Sequence, residues 1–356
     1  MLDIDFNQAD PQVICHPQYQ NLVPKMLEGL KPHSLKNHFI LFSSGTTGGH
    51  LKGYAISSEA LFTNAKAVNE HFHLTACDFW ALSLPVYHIG GLSVVARAHL
   101  LGNKLLDARH WEPLEWVKKI EDASITTIVP TQLYDLVKRG IKAPANLKYI
   151  VVGGDLLSSK LKSEALRLGW PVIRTFGMSE VCSQLASATK PESDELSIMP
   201  IHEVKTDGDQ RLLVKGPALF TLQFELLNDQ MIVTPKSELC DEAGFYRTSD
   251  RALISGKTLQ HLGRLGDEFK IAGHLVNMNQ LKNTLGSFLV EKTAFGKMEF
   301  LLEDDERKGK KLLLLTLPEA ECFSREISSL IHPVKIDEVR IVSNFERTAL
   351  GKLKKI

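Results

Sequence analysis

The chain has 356 residues, enough for two or three domains, with 44% apolar and 24% charged residues, the balance of a globular protein. Lys plus Arg and Asp plus Glu each number 42, so the net charge is zero, which argues against nucleic acid as the main partner. Five cysteines lie scattered at Cys15, Cys77, Cys182, Cys240 and Cys322 without a C-x-x-C pair, which suggests neither a disulfide framework nor a zinc site.

The start, MLDIDFNQADPQ, is acidic and has no apolar signal-peptide core, and no apolar run approaches the length of a membrane span. The expected location is cytoplasmic and reducing. Residues 1–36 are weakly patterned. His38–Phe42 reads as a buried strand, and Ser57–Phe72 as a helix that Ser57 or Ser58 can cap, with Leu61, Ala65, Val68 and Phe72 on one face. A strand at Phe79–Leu84 and a helix at Leu92–Leu101 follow. Strands at Thr126–Val129, Tyr149–Val152 and Val172–Phe176 alternate with helices at Thr131–Arg139 and Ser158–Leu168, which argues for a mostly parallel sheet covered by helices. After about residue 205 the pattern changes to short strands at Arg211–Lys215, Thr221–Leu227, Met231–Thr234 and Thr258–Leu262 separated by turn residues, an antiparallel arrangement. A third pattern begins near Gly266, with a helix at Asn279–Leu289, strands at Lys311–Leu317 and Val339–Val342, and a helix around Ser324–Ile331. It reads as a small α+β unit joined by a linker near Gly263–Gly266.

The strongest local signal is Ser43-Ser44-Gly45-Thr46-Thr47-Gly48-Gly49-His50-Leu51-Lys52-Gly53, expected between a strand and a helix. Glycines let backbone N–H groups approach an anion, hydroxyls add donors, and Lys adds charge, a composition suited to a triphosphate. The Walker spacing is absent, and a polar turn is the ordinary alternative.

Ser44-Gly45-Thr46-Thr47-Gly48 resembles the signature loop of the adenylate-forming superfamily of acyl/aryl-CoA synthetases, peptide-synthetase adenylation domains and luciferases. The segment that follows is one residue longer than usual and has Leu51 where Pro is usual. Further motifs resemble that family's in the same order: Pro85-Val86-Tyr87-His88-Ile89-Gly90-Gly91, Val152-Gly153-Gly154-Asp155, Thr175-Phe176-Gly177-Met178-Ser179-Glu180, Arg247-Thr248-Ser249-Asp250, Leu262-Gly263-Arg264 and Arg347-Thr348-Ala349-Leu350-Gly351-Lys352. The resemblance spans residues 39–352. Segments 84–93, 129–133 and 177–184 look most like the o-succinylbenzoate–CoA ligases of menaquinone biosynthesis.

The resemblance implies an acid–thiol ligase, an AMP-forming acyl-CoA synthetase that uses ATP, Mg²⁺ and CoA. Its partners would be those small molecules and a carboxylic acid, with no nucleic acid and no membrane span. Lys352 would bridge the carboxylate and the α-phosphate; by residue type alone it is an ordinary lysine of a basic tail with Lys354 and Lys355. Glu180 would hold Mg²⁺ and Ser179 would donate to the α-phosphate, although the pair also suits a helix N-cap and its first-turn acid. Ser44, Gly45, Thr46, Thr47, Gly48 and Lys52 would hold phosphates, and Gly153, Gly154 and Asp155 would lie beside the adenine. Phe176 would stack on the adenine, Asp250 would hold the ribose and Arg264 would grip the nucleotide; by type alone these are a core aromatic, a turn acid and a surface arginine. His88, otherwise a structural histidine, would line the acyl pocket with Thr131. Arg97, Ser183 and Gln184 would serve as donors to a second carboxylate, although Arg97 equally suits a helix-surface residue that snorkels to water.

The expected fold is α/β. A large, N-terminally shortened adenylate-forming domain (1–264) of mixed sheets and flanking helices would be followed by a mobile α+β lid (265–356). A homo-oligomer or an altered pocket edge would compensate for the shortened start. Gly266 stands at the family's hinge position, and Gly273 would lie on the CoA side. The rival expectations are a ligase for another aryl or fatty acid or for a carrier-protein thiol, and a non-catalytic nucleotide-binding relative.

Overall fold

Eleven strands of one sheet and five of another organise this α/β protein, a computed structural model that describes residues 4–43, 51–227, 230–271, 274–305, 309–332 and 334–345. The expected phosphate-loop residues Ser44, Gly45, Thr46, Thr47 and Gly48, together with Gly273 and Lys352, lie outside the described residues.

In spatial order the larger sheet runs Leu106–Asp107, Trp80–Leu82, Ile125–Ile128, Tyr149–Val152, Val172–Met178, Ser183–Ser187, Leu196–Ile198, Thr258–Arg264, Tyr246–Ser255, Arg211–Lys215 and Glu203–Thr206. Neighbours are parallel as far as Val172–Met178 and antiparallel beyond it. The expected parallel strands therefore share one sheet with two of the expected antiparallel ones, Arg211–Lys215 and Thr258–Leu262, whereas Thr221–Leu227 and Met231–Thr234 fall in the second sheet. Helices Ile89–Leu101, Pro113–Lys119, Pro130–Lys138 and Ser159–Arg167 make the crossovers of the parallel half.

Both faces of that half are covered, so Trp80–Leu82 and Tyr149–Val152 are continuous apolar runs rather than alternating ones. Strand periodicity still sorts the side chains. Trp80, Leu82, Ile125, Val151 and Ile173 join one core with helices Ser58–His71 and Ile89–Leu101. Ala81, Ile150, Val152 and Val172 join the other with Trp116, Leu133, Leu161 and Trp170. Helix Ser58–His71 begins where expected, because Ser57 Oγ accepts the Ala60 N–H at 3.1 Å.

The second sheet runs Gln12–Ile14, His38–Phe42, Leu51–Ser57, Leu222–Leu227 and Gln230–Pro235. One expectation is corrected here. The Gly-rich segment leads into the strand Leu51–Ser57, not directly into a helix, so Lys52 is a strand residue. That strand lies between two others, with Gly53 opposite Phe42 on one side and Phe224 on the other, and their closeness explains Gly53: a Cβ there would overlap the Phe224 ring and the Leu41 carbonyl.

Beyond Arg264, a hairpin of Glu268–Ile271 and His274–Asn277 leads into helix Met278–Glu291, the sheet of Met298–Asp305, Gly309–Thr316 and Glu338–Ile341, and helix Ser324–Leu330. This part has its own core of Leu281, Leu285, Phe300, Leu312, Leu314 and Ile327. It meets the larger part where Phe295 stacks on Tyr134 at 4.7 Å, with the Phe295 N–H donating to the Tyr134 hydroxyl.

The turn into Trp80–Leu82 is tied by the buried Asp78 carboxylate. It accepts from Thr75 N at 2.9 Å and Thr75 Oγ1 at 3.1 Å, and pairs with Lys148 Nζ at 2.6 Å. Burial pushes its pKa up, but the Lys148 ammonium and the Thr75 and Ser124 donors more than offset this and leave it below the usual carboxylate value. A depressed folded-state pKa stabilises above the unfolded value, about 3.9, and that stability is lost as pH falls through the folded value. Asp78→Asn is expected to cost about 1–2 kcal/mol at pH 7, with a gap from wild type that narrows below about pH 4; urea unfolding at a series of pH values checks this. A gap that persists unchanged at pH 3 would exclude the carboxylate as its cause.

Candidate active site

Parallel strands direct their carboxyl ends to one edge of a sheet, and ligands of α/β proteins bind there, above all where the strand order or sense changes. Four expected segments emerge at that edge: His88 after Trp80–Leu82, Thr131 after Ile125–Ile128, Gly153-Gly154-Asp155 after Tyr149–Val152, and Phe176–Glu180 at the end of Val172–Met178. The last strand of this series also marks the switch to antiparallel pairing. A register shift falls between Phe176 and Gly177, and such irregularities re-aim side chains. Gly153 packs on the Thr175 side chain, and Gly154 takes φ +83°.

From Met178 the chain reverses through a short 3-10 turn, Ser179–Val181, into the strand Ser183–Ser187. Ser179 therefore does not cap an α-helix, which corrects the alternative weighed for it. The reversal is strained. Cys182 and Ser183 have φ of +60° and +119°, which non-glycine residues seldom adopt. Surrounding groups hold it in place. Asn64 Nδ2, on a buried helix face, donates to Val181 O at 2.9 Å and Gln184 O at 2.8 Å. Phe220 N donates to Glu180 O at 3.0 Å. Gly177 lies so close to the Ser183 carbonyl that a Cβ would overlap it.

The Tyr54 hydroxyl donates to Glu180 Oε1 at 2.8 Å. Burial, then the Glu180 charge, pushes the Tyr54 pKa far up, so this phenol stays protonated and a donor. Lys52 Nζ lies 5.5 Å from the Tyr54 ring centroid, and Phe220 packs on it at 5.0 Å. Lys52 and Glu180 face a cavity of about 930 Å³ that Tyr246, Arg247, Thr248 and Ser249 also line. It brings a cation, a carboxylate and a phenol together.

At the other end, helix Ile89–Leu101 starts at His88 and carries Ser93 and Arg97 on the face toward Ser183. Ser93 Oγ donates to Ser183 Oγ at 3.1 Å, and Arg97 Nη2 donates to it at 3.2 Å. Arg97 does not snorkel: it is 1% exposed, with its guanidinium 5.1 Å from the Trp80 ring. Its Nε has no partner and no carboxylate pairs with it among the described residues. Burial lowers its pKa to about 9, which still leaves it charged at neutral pH. The Gln184 amide nitrogen is engaged by Thr175 Oγ1 at 3.1 Å and Ser187 Oγ at 2.6 Å, while its Oε1 is buried without a partner. Both amide hydrogens are thus taken, so Gln184 does not supply the donor to a second carboxylate that was expected of it. Thr131 lies half-buried in the first turn of helix Pro130–Lys138.

Asp250 is not an exposed turn acid. It lies 6% exposed in strand Tyr246–Ser255, on the same face as Tyr246, Thr248 and Ala252. It is the register partner of Arg264, whose Nε lies 3.7 Å from Asp250 Oδ1. His261 Nε2 donates to the same oxygen at 2.8 Å, and the His261 ring stacks on Phe176 at 4.4 Å and 24°. The expected base-stacking ring and the expected ribose acceptor are thus joined through a residue that sequence reasoning passed over. Tyr54, Asn64 and Ser93 were also missed. Tyr54 and Asn64 had a signal, polar side chains among the apolar residues of a strand and of a helix's inward face.

A family model described as AMP-binding enzyme matches residues 6–236. The chain is 35% identical over 227 residues to a 2-succinylbenzoate–CoA ligase of Staphylococcus aureus, covering 60% of this chain and 44% of that protein. It is 29% identical over 227 residues to the enzyme of that name from Staphylococcus epidermidis, covering 60% and 46%. The matched stretch thus spans less than half the length of these curated relatives. The fold resembles that of o-succinylbenzoate CoA synthetase (MenE) from Bacillus subtilis in complex with the acyl-adenylate intermediate OSB-AMP. The TM-score is 0.74 at 21% identity, over 88% of this chain and 67% of that one.

Tyr54→Phe removes one donor to Glu180 and no apolar volume. It is expected to lower the free energy of urea unfolding by about 1–2 kcal/mol with an unchanged m-value. Wild-type stability in this variant would show that the hydrogen bond does not help hold the reversal.

Proposed function

The chain belongs to the AMP-binding enzyme family, and from that membership we propose that it activates a carboxylic acid with ATP and passes the acyl group to CoA, the acid being o-succinylbenzoate. The observation that carries the choice of acid is the buried Arg97 guanidinium behind Ser183, with no carboxylate partner among the described residues. A buried cation of this kind is costly unless something anionic comes near it. A substrate with two carboxylates supplies that anion at one end and the reacting group at the other. The staphylococcal relatives, which are 2-succinylbenzoate–CoA ligases, support the same acid.

In the first half-reaction a carboxylate oxygen attacks the α-phosphorus of ATP, the α–β anhydride bond breaks and pyrophosphate leaves. Two anions must approach, so fixed cations and donors at the meeting point lower the barrier. Lys52 stands at the cavity with Glu180, and Lys352 is the proposed cation between the carboxylate and the α-phosphate. The Ser179 hydroxyl is the proposed donor to that phosphate. Phe176, Gly153, Gly154, Asp155, Asp250 and Arg264 are the proposed nucleoside contacts; the emergence of the first four at the sheet's carboxyl edge and the Asp250–Arg264 pairing support this. Glu180 is an oxygen ligand facing the cavity beside Lys52, the donor type that a hard cation takes, so the residues present fit Mg²⁺. When bound, Mg²⁺ would neutralise phosphate charge. In the second half-reaction the CoA sulfur attacks the acyl carbonyl carbon and AMP leaves. His88, Thr131, Ser183 and Gln184 would line the acyl pocket. Residues 265–356 would act as a lid that rotates about Gly266 (φ +90°), presenting Lys352 first and the Gly273 side second. A reaction that draws on ATP and CoA fits the expected cytoplasmic location.

The test is ATP–pyrophosphate exchange with the purified chain and Mg²⁺. Exchange is expected to require o-succinylbenzoate and to fall by about 10²–10³ in Lys352→Ala, the scale for loss of one group that meets developing charge. Arg97→Lys keeps the charge but not the fork, and is expected to raise the KM for the acid while leaving that for ATP unchanged. Equal exchange with benzoate would discard the dicarboxylate, and no exchange with any acid would discard ligase activity.

A further inference from the structure

The antiparallel half of the large sheet opens beside Phe176. Strand Leu196–Ile198 pairs with Thr258–Arg264 only at Thr258 and Leu259, so the rest of that strand continues with Tyr246–Ser255 as its neighbour. In the opening, the His261 ring lies flat on Phe176, with centroids 4.4 Å apart, and its Nε2 reaches Asp250 Oδ1 at 2.8 Å. A carboxylate only accepts, so Nε2 carries the proton and donates. A register shift between Arg251 and Ala252 lets the chain fit this geometry, with His261 opposite Ala252 and Arg264 opposite Asp250.

We infer that His261 is a positioning residue for the nucleoside, and that it sets the preference for ribose over deoxyribose. This rests on the reading that Phe176 and Asp250 hold adenosine. By taking Asp250 Oδ1, His261 fixes the carboxylate plane and leaves Oδ2 to the sugar hydroxyls. By covering one face of Phe176, it leaves the opposite face to the base. Base and sugar sites are thereby locked in one relation, and a carboxylate held in this way discriminates a hydroxyl it can accept from one that is missing. Arg264 cannot replace it, because its side chain is 61% exposed and its Nε is 3.7 Å from the same oxygen.

The experiment is calorimetric binding of ATP, 2′-deoxy-ATP and 3′-deoxy-ATP to the whole chain without acid, for wild type, Asp250→Asn, His261→Phe and His261→Asn, each checked by circular dichroism. Wild type is expected to prefer ATP. His261→Phe keeps a ring on Phe176 but loses the donor, and should weaken ATP roughly tenfold while barely changing the deoxynucleotides. His261→Asn keeps an amide donor and should recover part of the preference. If His261→Phe retains the wild-type ratio, or weakens all three nucleotides equally, while Asp250→Asn abolishes the preference, the positioning role falls and the nucleoside reading stands. If wild type binds no ATP, or Asp250→Asn leaves the preference intact, the nucleoside reading falls and this inference with it.

Discussion

The reversal of the chain between Met178 and Ser183 is the constraint from which the rest of the cleft follows. A parallel strand has its neighbour's carboxyl end beside its own, so a parallel sheet collects loops at one edge but cannot continue through a tight turn. By turning back at once, the chain changes the sense of the sheet and stops the crossovers. The turn leaves Glu180 facing the cavity on one side and Ser183 facing Arg97 on the other. Its backbone is unfavourable at Cys182 and Ser183, so it depends on neighbours that over-determine it: Asn64 from a helix, Tyr54 from the second sheet, and the bare Cα of Gly177. A helix and the second sheet thus converge on one short turn.

The charges near this turn are handled differently at its two ends. Glu180 and Asp250 are each held by a donor on one oxygen, Tyr54 for the first and His261, with Arg264 Nε at 3.7 Å, for the second. Such donors orient a carboxylate that is to meet a cation or hydroxyls. Arg97 has the opposite arrangement. It lies against the Trp80 ring and donates to the Ser183 hydroxyl, which reduces the cost of burial without cancelling the charge. A positive charge is therefore built in behind Ser183.

Much of the fold was legible because it follows from periodicity. His38–Phe42, Tyr149–Val152 and Arg211–Lys215 were bounded as observed, since each is a short apolar run closed by turn residues. Leu51–Ser57 was not, because Lys, Gly and Ser in a doubly flanked strand look like a continuing loop. The motif residues Phe176, Glu180, Asp250 and Arg264 were singled out by order along the chain. Their partners were not: Tyr54 reaches Glu180 across |i−j| = 126, and His261 reaches Asp250 across a hairpin, so neither has a fixed spacing to find. The burial of Arg97 did leave a trace. Its helix, IGGLSVVARAHLL, is apolar on nearly every side, which marks a helix enclosed by protein.

The second sheet has a consequence for how the chain is made. Its inner strand Leu51–Ser57 is flanked by His38–Phe42 on one side and by Leu222–Leu227 on the other. During synthesis the first hairpin emerges early and must wait, with one strand edge unpaired, while the whole parallel half is translated. Pairing across so long a separation is slow in any topology, and a waiting apolar edge invites wrong partners. Helix Ser58–His71 and the parallel strands can assemble during that interval, which confines the exposed interval to one edge of one hairpin. The order of the segments along the chain thus makes Leu222–Leu227 the piece that covers the waiting edge of Leu51–Ser57.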